Sequence, residues 1–381
     1  FREAMRGLVA YSQNIIAADS AGNVFYSGYE AIPCRTYLPK NADGTWIEGA
    51  DPRFLLDGTE YAGFEIPLTE AGLVDESFAD DPQRCVVPFD EYPQSFNPAS
   101  GYVITANQDP GGMTLDGDIF DEDWYIGGPW NNGFRAGRID DMIQRDSGVA
   151  TLDSIVEQQA DHFSVLGARF APYLLEQIQF ARDAHDGGAT EGSEGRIAAL
   201  YEAEAARIES AAGYLEDWAD LGYEAASGVE TFYDQPTADQ RQAAIATSIY
   251  NAWYEAWRVY VLEDEGLPSV FRPTSRGGRA RALDLFVRGA EPGNPLGLAS
   301  YNDETGESAF FDVLSTEEIE TSHEVALTAL VDALDFWASE PGEDGVGGVG
   351  SDDPEDWLWG LRHLVRFSSV LGEFLDDEDP L

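Results

Sequence analysis

Pro93-Gln94-Ser95-Phe96-Asn97-Pro98-Ala99-Ser100-Gly101-Tyr102-Val103-Ile104-Thr105-Ala106-Asn107-Gln108-Asp109-Pro110 is the stretch on which the reading of this chain depends, together with Gly133-Phe134-Arg135-Ala136-Gly137-Arg138-Ile139 downstream. Residues 101–106 carry a run of strand-forming side chains. Asn107 to Gly112 is a cluster of turn formers, so a short strand ending in a sharp corner is predicted. Beyond residue 134 the apolar period lengthens: Ile139, Met142 and Ile143 recur at helical spacing. The chain changes character across this stretch.

Upstream, residues 15–32 set two apolar stretches around Asp19-Ser20-Ala21-Gly22-Asn23, which predicts a β-hairpin. Phe1 to Ala10 reads as a helix. Residues 33–100, rich in Pro, Gly and Asp, read as loops with short aromatic stretches at Trp46 and Phe64. Downstream, Thr151 is placed to N-cap a helix. Helical periods follow near 163–183, 195–222, 237–264, 278–288, 316–338 and 354–368, separated by Gly- and acid-rich loops at 186–194 and 340–353. Strands first and helices afterwards predict an α+β chain, not alternating βαβ units. The expected division is a β-rich part, 1–150, and a mainly helical part, 151–381. Trp218, Trp253, Trp257, Trp337, Trp357 and Trp359 fall on predicted helices, where they read as core side chains rather than a ligand box.

Acidic residues number 71 against 22 basic ones, a net charge of −49, and Lys40 is the sole lysine. Such a chain repels nucleic acid and anionic membrane surfaces, so neither is expected as a partner. The acids are spread along the whole length, which reads as a solvated surface. No run of about 18 apolar residues is present, so no membrane-spanning helix is expected. The N-terminus has no initiator Met and no signal-peptide pattern, which leads us to expect a chain that starts within a longer protein or after processing. Cys34 and Cys85 are too few and too isolated for a metal site. One disulfide and two buried thiols both fit them.

Motifs for a nucleophile elbow, a phosphate loop, a zinc helix and a dinucleotide turn are absent. His162, His185, His323 and His363 are scattered without a second ligand at helical spacing. Taken by itself, Asn107 is a turn residue at an Asn-Gln-Asp-Pro corner. Arg135 is a cation near a helix start, where the helix dipole disfavours it. Asp116-Gly117-Asp118-Ile119-Phe120-Asp121-Glu122-Asp123 is a carboxylate-rich segment without EF-hand spacing.

The order of motifs says more. Asn97-Pro98-Ala99-Ser100-Gly101-Tyr102-Val103, the strand ending at Asn107, and Phe134-Arg135-Ala136-Gly137-Arg138-Ile139 resemble segments of the β-chain of the penicillin acylase family, N-terminal-nucleophile hydrolases. Ala18-Asp19-Ser20-Ala21-Gly22-Asn23-Val24 and Ile32-Pro33-Cys34-Arg35 are similar to that family's hairpin and the segment after it. The resemblance is good over 1–175 and weaker but compatible beyond. It implies part of an αββα sandwich followed by a mainly helical region, and an amidohydrolase that cleaves an N-acyl amide bond. The substrate would be a β-lactam side chain, an acyl-homoserine lactone or a similar small N-acyl compound. It places the oxyanion asparagine at Asn107 and the active-site arginine at Arg135, and puts a carboxylate ligand of one structural Ca²⁺ at Asp118. It further implies a self-cleaving, exported precursor, periplasmic or secreted. The precursor's α-chain and the N-terminal part of its β-chain would be this chain's partners and would hold the nucleophile, leaving the chain inactive alone. Gln108 departs from the Asn-Asn pair of some members. The competing expectation is a non-catalytic, acidic, Ca²⁺-binding homologue.

Overall fold

The computed structural model describes residues 1–10, 13–52, 54–110, 124–127, 130–146, 149–232, 235–264, 266, 272–273, 275–289, 302, 306–342 and 347–363. The chain divides into two compact units, Phe1–Gln159 and Ala160–Leu381.

In the first unit the predicted hairpin is present. Strands β1 (Ile15–Ala18) and β2 (Val24–Ser27) pair antiparallel, with Ile15 opposite Ser27 and Ala18 opposite Val24. Asp19 builds the turn: its Oδ1 accepts from the backbone N–H of Ala21 and of Asn23, at 2.9 and 3.0 Å. Gly22 sits at φ 86°, a conformation that a Cβ would strain.

A third strand, β3 (Gln94–Phe96), pairs with the other edge of β2, putting Phe96 opposite Phe25. It falls inside the stretch read as loop. Asn97, at φ 48°, explains why three residues suffice. Its N–H donates to Val24 O and its Oδ1 accepts from Val24 N, both at 2.9 Å, while its Nδ2 donates to Asn23 Oδ1 at 2.8 Å. Residues 101–106, predicted as a strand, join no ladder among the described residues. A run of strand formers is not a strand until a neighbour pairs with it.

Burial of Met5, Phe25, Tyr29, Ile32, Val87, Phe89, Tyr92 and Ile126 makes the core of this unit. The N-terminal segment is a 3₁₀ turn, Arg2–Gly7, with Met5 its buried side chain, rather than the longer helix expected. Cys34 and Cys85 are bonded, Cα atoms 5.4 Å apart, and Cys34 N–H donates to Cys85 O at 2.9 Å. The bond closes the base of the long loop region between them. Inside it Asp43, Asp57, Asp75 and Asp81 each accept the backbone N–H two residues on. The carboxyls are held below the usual range by the hydroxyls of Thr45, Thr59 and Ser77 and then by the turn N–H for Asp43, Asp57 and Asp75, and by the Gln83 N–H first for Asp81. Helices α1 (Phe134–Arg145) and α2 (Leu152–Ala160) end the unit, and Thr151 caps α2 through Ser154 N–H at 3.1 Å.

The second unit is helical: α3 (Val165–Asp186), α4 (Gly192–Asp220), α5 (Ala238–Leu262), α6 (Arg276–Gly289) and α7 (Ser322–Ala338). Helix α5 is the centre, packed along α7 and α4. Trp218, Trp253, Trp257, Trp337 and Trp357 are all buried. Helix α7 starts later than its apolar period suggested, because Thr321 and Glu324 form a capping box that fixes the first turn there. Within the predicted helix 354–368, two 3₁₀ turns, Pro354–Asp356 and Trp359–Leu361, take its place; residues 364–368 lie outside the described residues.

His323, in the first turn of α7, stacks on Phe180 at 3.8 Å between ring centroids, and its Nδ1 pairs with Gln177 Oε1. Burial pushes its pKa below the ordinary histidine value. The unfolded chain therefore takes up this proton first, and stability is lost as pH falls below about 6.5. Thermal melts of His323→Gln are expected to show a weaker fall in Tm between pH 7 and 5.5 than the parent.

Candidate active site

Tyr102 leads the unpaired segment toward helix α1, and its hydroxyl donates to Asp140 Oδ1. Gln108 folds back on the same segment: its Oε1 accepts from Ala106 N–H at 2.6 Å and its Nε2 donates to Ile104 O at 3.2 Å. The corner between them is Asn107, at φ 64°. Asparagine tolerates this left-handed backbone better than most residues with a Cβ. The Asn107 carbonyl accepts from Asn131 N–H at 2.8 Å, tying the corner to the start of α1. Gly133, at φ 79°, then turns the chain into the helix.

Arg135 occupies the first turn of α1. One nitrogen, Nη2, donates to Ala106 O and to Asn107 Oδ1, both at 2.7 Å. This settles which way the amide points. Guanidinium has donors and no acceptor, so the oxygen of Asn107 must face it and the Nδ2 group must face away. Among the described residues that Nδ2 has no hydrogen-bond acceptor. Both side chains are exposed, while Ala106 beneath them is buried. The positive charge also draws electron density from the amide oxygen, which makes the opposite N–H a stronger donor.

Asn107 lines a cleft of about 490 Å³, the size of a small-molecule site. Its other walls include Asn14, Gly28, Glu30, Tyr92, Thr105 and Trp130. Space is tight at Gly28: a Cβ on it would come within 3.0 Å of Asn14 Oδ1 and 3.4 Å of the Tyr26 hydroxyl, so these side chains would have to shift. Tyr26 donates to Asn14 Oδ1 at 2.7 Å. Burial, helped by the charge of Asp109, pushes its pKa up to about 12. Tyr92 is pushed up further by burial and by Glu30, so both phenols stay protonated at neutral pH.

The structure thus brings Asn107 and Arg135 together across 28 residues of sequence. Asp118, the expected Ca²⁺ ligand, lies outside the described residues. Among the described residues no group of three His, Cys, Asp or Glu side chains is placed to hold a metal. Asn14, Gly28, Glu30 and Tyr92 were not singled out by the sequence, because each comes from a different local context and only folding gathers them.

Replacing Arg135 by Lys keeps the charge but loses the reach and the planar guanidinium that set Nη2 between the Ala106 and Asn107 oxygens. Loss of a charged hydrogen bond of about 1.5–3 kcal/mol predicts a kcat about ten- to a hundredfold lower in the full-length protein. Steady-state kinetics on a cleavable N-acyl substrate check this, with KM expected to move little.

The penicillin amidase family model matches residues 1–380 of the chain. No individual characterised protein and no solved structure gives a significant match. The family match covers both units, and the chain belongs to the penicillin amidase family of amide hydrolases.

Proposed function

We propose that this chain supplies the oxyanion-stabilising part of an N-acyl amidohydrolase whose nucleophile lies outside these residues. In the reaction a hydroxyl or thiol adds to the acyl carbon and the carbonyl oxygen becomes negative. The C–N bond then breaks as the amine leaves with a proton, and water releases the carboxylic acid. The Nδ2–H of Asn107, held by Arg135 and pointing away from it, is the donor that meets the negative oxygen. That pairing, with Asn107 on the cleft wall, is the observation that carries the reading. Thr105 is the one aliphatic hydroxyl among the described cleft residues, and its nitrogen is committed to a peptide bond, so it has no α-amine to act as base.

A β-lactam side chain, an acyl-homoserine lactone and other N-acyl amines remain the substrate classes of this reading. The three-stranded sheet would be one part of an αββα sandwich completed by the rest of a self-cleaving precursor. The Cys34–Cys85 bond supports an exported, periplasmic or secreted protein. A structural Ca²⁺ held through Asp118 belongs to the same proposal.

The test is expression of the full-length gene product. It is expected to split into two chains and to release carboxylic acid from an N-acyl amine panel. A product that stays whole and hydrolyses no member of the panel contradicts the reading.

A further inference from the structure

Among the described residues that line the cleft beside Asn107, Glu30 is the one with a charged side chain. Glu30 has no ion pair and no hydrogen bond among the described residues. Arg135, the cation of the site, is turned to Ala106 O and Asn107 Oδ1 and is not part of the cleft lining. The cleft is therefore polarised. One wall offers an N–H to a developing negative oxygen. Another wall holds a negative charge that no cation among the described residues balances.

The neighbours of Glu30 add to this. Tyr92 lies close enough to feel its charge, and Trp130 contributes an indole to the same lining. Trp130 spends its own N–H on Ile126 O at 3.1 Å, which leaves its ring without a polar demand on a ligand. A carboxylate that shares a cleft lining with a tyrosine and a tryptophan suits a cation, through ion pairing and attraction to aromatic rings. It is a poor host for a carboxylate.

We propose that the cleft selects substrates bearing a protonated amine or guanidinium, with Glu30 as the specificity-determining residue. The scissile nitrogen is an uncharged amide, so the cation is a second nitrogen group on the same molecule. The inference rests on the amidase reading for its biological meaning, but the recognition itself is a binding property of the cleft.

Binding separates the two. Benzylammonium, benzyl alcohol and benzoate differ in charge and little in shape. Titration of each into the full-length protein at pH 7, followed by calorimetry or ligand-observed NMR, reads the preference directly. Benzylammonium is expected to bind about fivefold tighter than the alcohol, the scale of a partly solvated ion pair, and benzoate weaker than either. The preference is expected to shrink with added salt. In Glu30→Gln the ratio of the amine to the alcohol should fall to about one, and in Glu30→Asp part of it should return. Should Glu30→Gln fail to fold, the salt series and Glu30→Asp carry the test. Equal binding of the three probes to the parent protein, no binding of any, or a preference untouched by Glu30→Gln overturns the proposal. None of these outcomes touches the amidase reading, which is judged by turnover of an N-acyl substrate with no second charge.

Discussion

Asn107→Ala in the full-length protein is expected to lower kcat by about 10²–10³-fold, or about 3 kcal/mol, which is the scale for removing one oxyanion donor. The loss should appear in kcat more than in KM, because the oxygen is negative only in the transition state. Two secondary effects must be separated from it. Alanine at φ 64° is itself strained, by roughly 1–2 kcal/mol, so some stability is lost for reasons of backbone alone. Arg135 also loses one of its two acceptors. Asn107→Gly removes the strain and keeps the lost donor. Its Tm should stay nearer the parent while its kcat stays as low as that of the alanine variant. A glycine variant with normal turnover would mean that the corner, not the amide, matters.

The second large effect is on stability. Trp253 is fully buried in α5, stacks on Trp257 with centroids 5.0 Å apart at 8°, and donates its N–H to Ala326 O of α7 at 3.0 Å. It therefore sits on the seam between the two helices at the centre of the helical unit. Trp253→Ala is expected to cost about 3–5 kcal/mol, the range for deleting a large aromatic from a close-packed core. Trp253→Phe keeps a ring, loses the hydrogen bond and part of the volume, and should cost less than half of that. Urea denaturation of the two variants reads both values. An alanine variant within 1 kcal/mol of the parent would mean that the seam repacks freely.

The same residues show why parts of the fold were open to the sequence and others were not. The helices were legible because burial repeats at their period, and Trp218, Trp253, Trp257 and Trp337 fell on the inner faces. Their ends were less so. Thr321-Ser322-His323-Glu324 spells a capping box, but the apolar period runs on upstream of it, and the cap decides. Strand identity depended on partners. Gln94-Ser95-Phe96 is a strand because Asn97 hooks onto Val24, whereas Tyr102-Val103-Ile104-Thr105 has better strand formers and no ladder among the described residues. The hairpin was legible because its turn is local: Asp19 makes it within four residues.

The site divides in the same way. Asn107 by itself is a turn residue and Arg135 a surface cation; family resemblance supplied their roles, and the fold puts one against the other. Nothing in the local sequence marks Glu30 or Gly28, because a cleft wall is defined by what stands opposite it. Tyr102 and Asp140 are a further case, a link from the segment before the corner to α1.

In the proposed reaction the Asn107 side chain acts through its N–H while Arg135 holds its oxygen. Asn107→Asp isolates this in one substitution. The carboxylate has the shape of the amide and still accepts from Arg135, but it has no N–H to offer. Measurement of kcat for the full-length Asn107→Asp variant, at matched folding by circular dichroism, is predicted to show turnover at least as low as in Asn107→Ala. Turnover close to that of the parent would contradict the account.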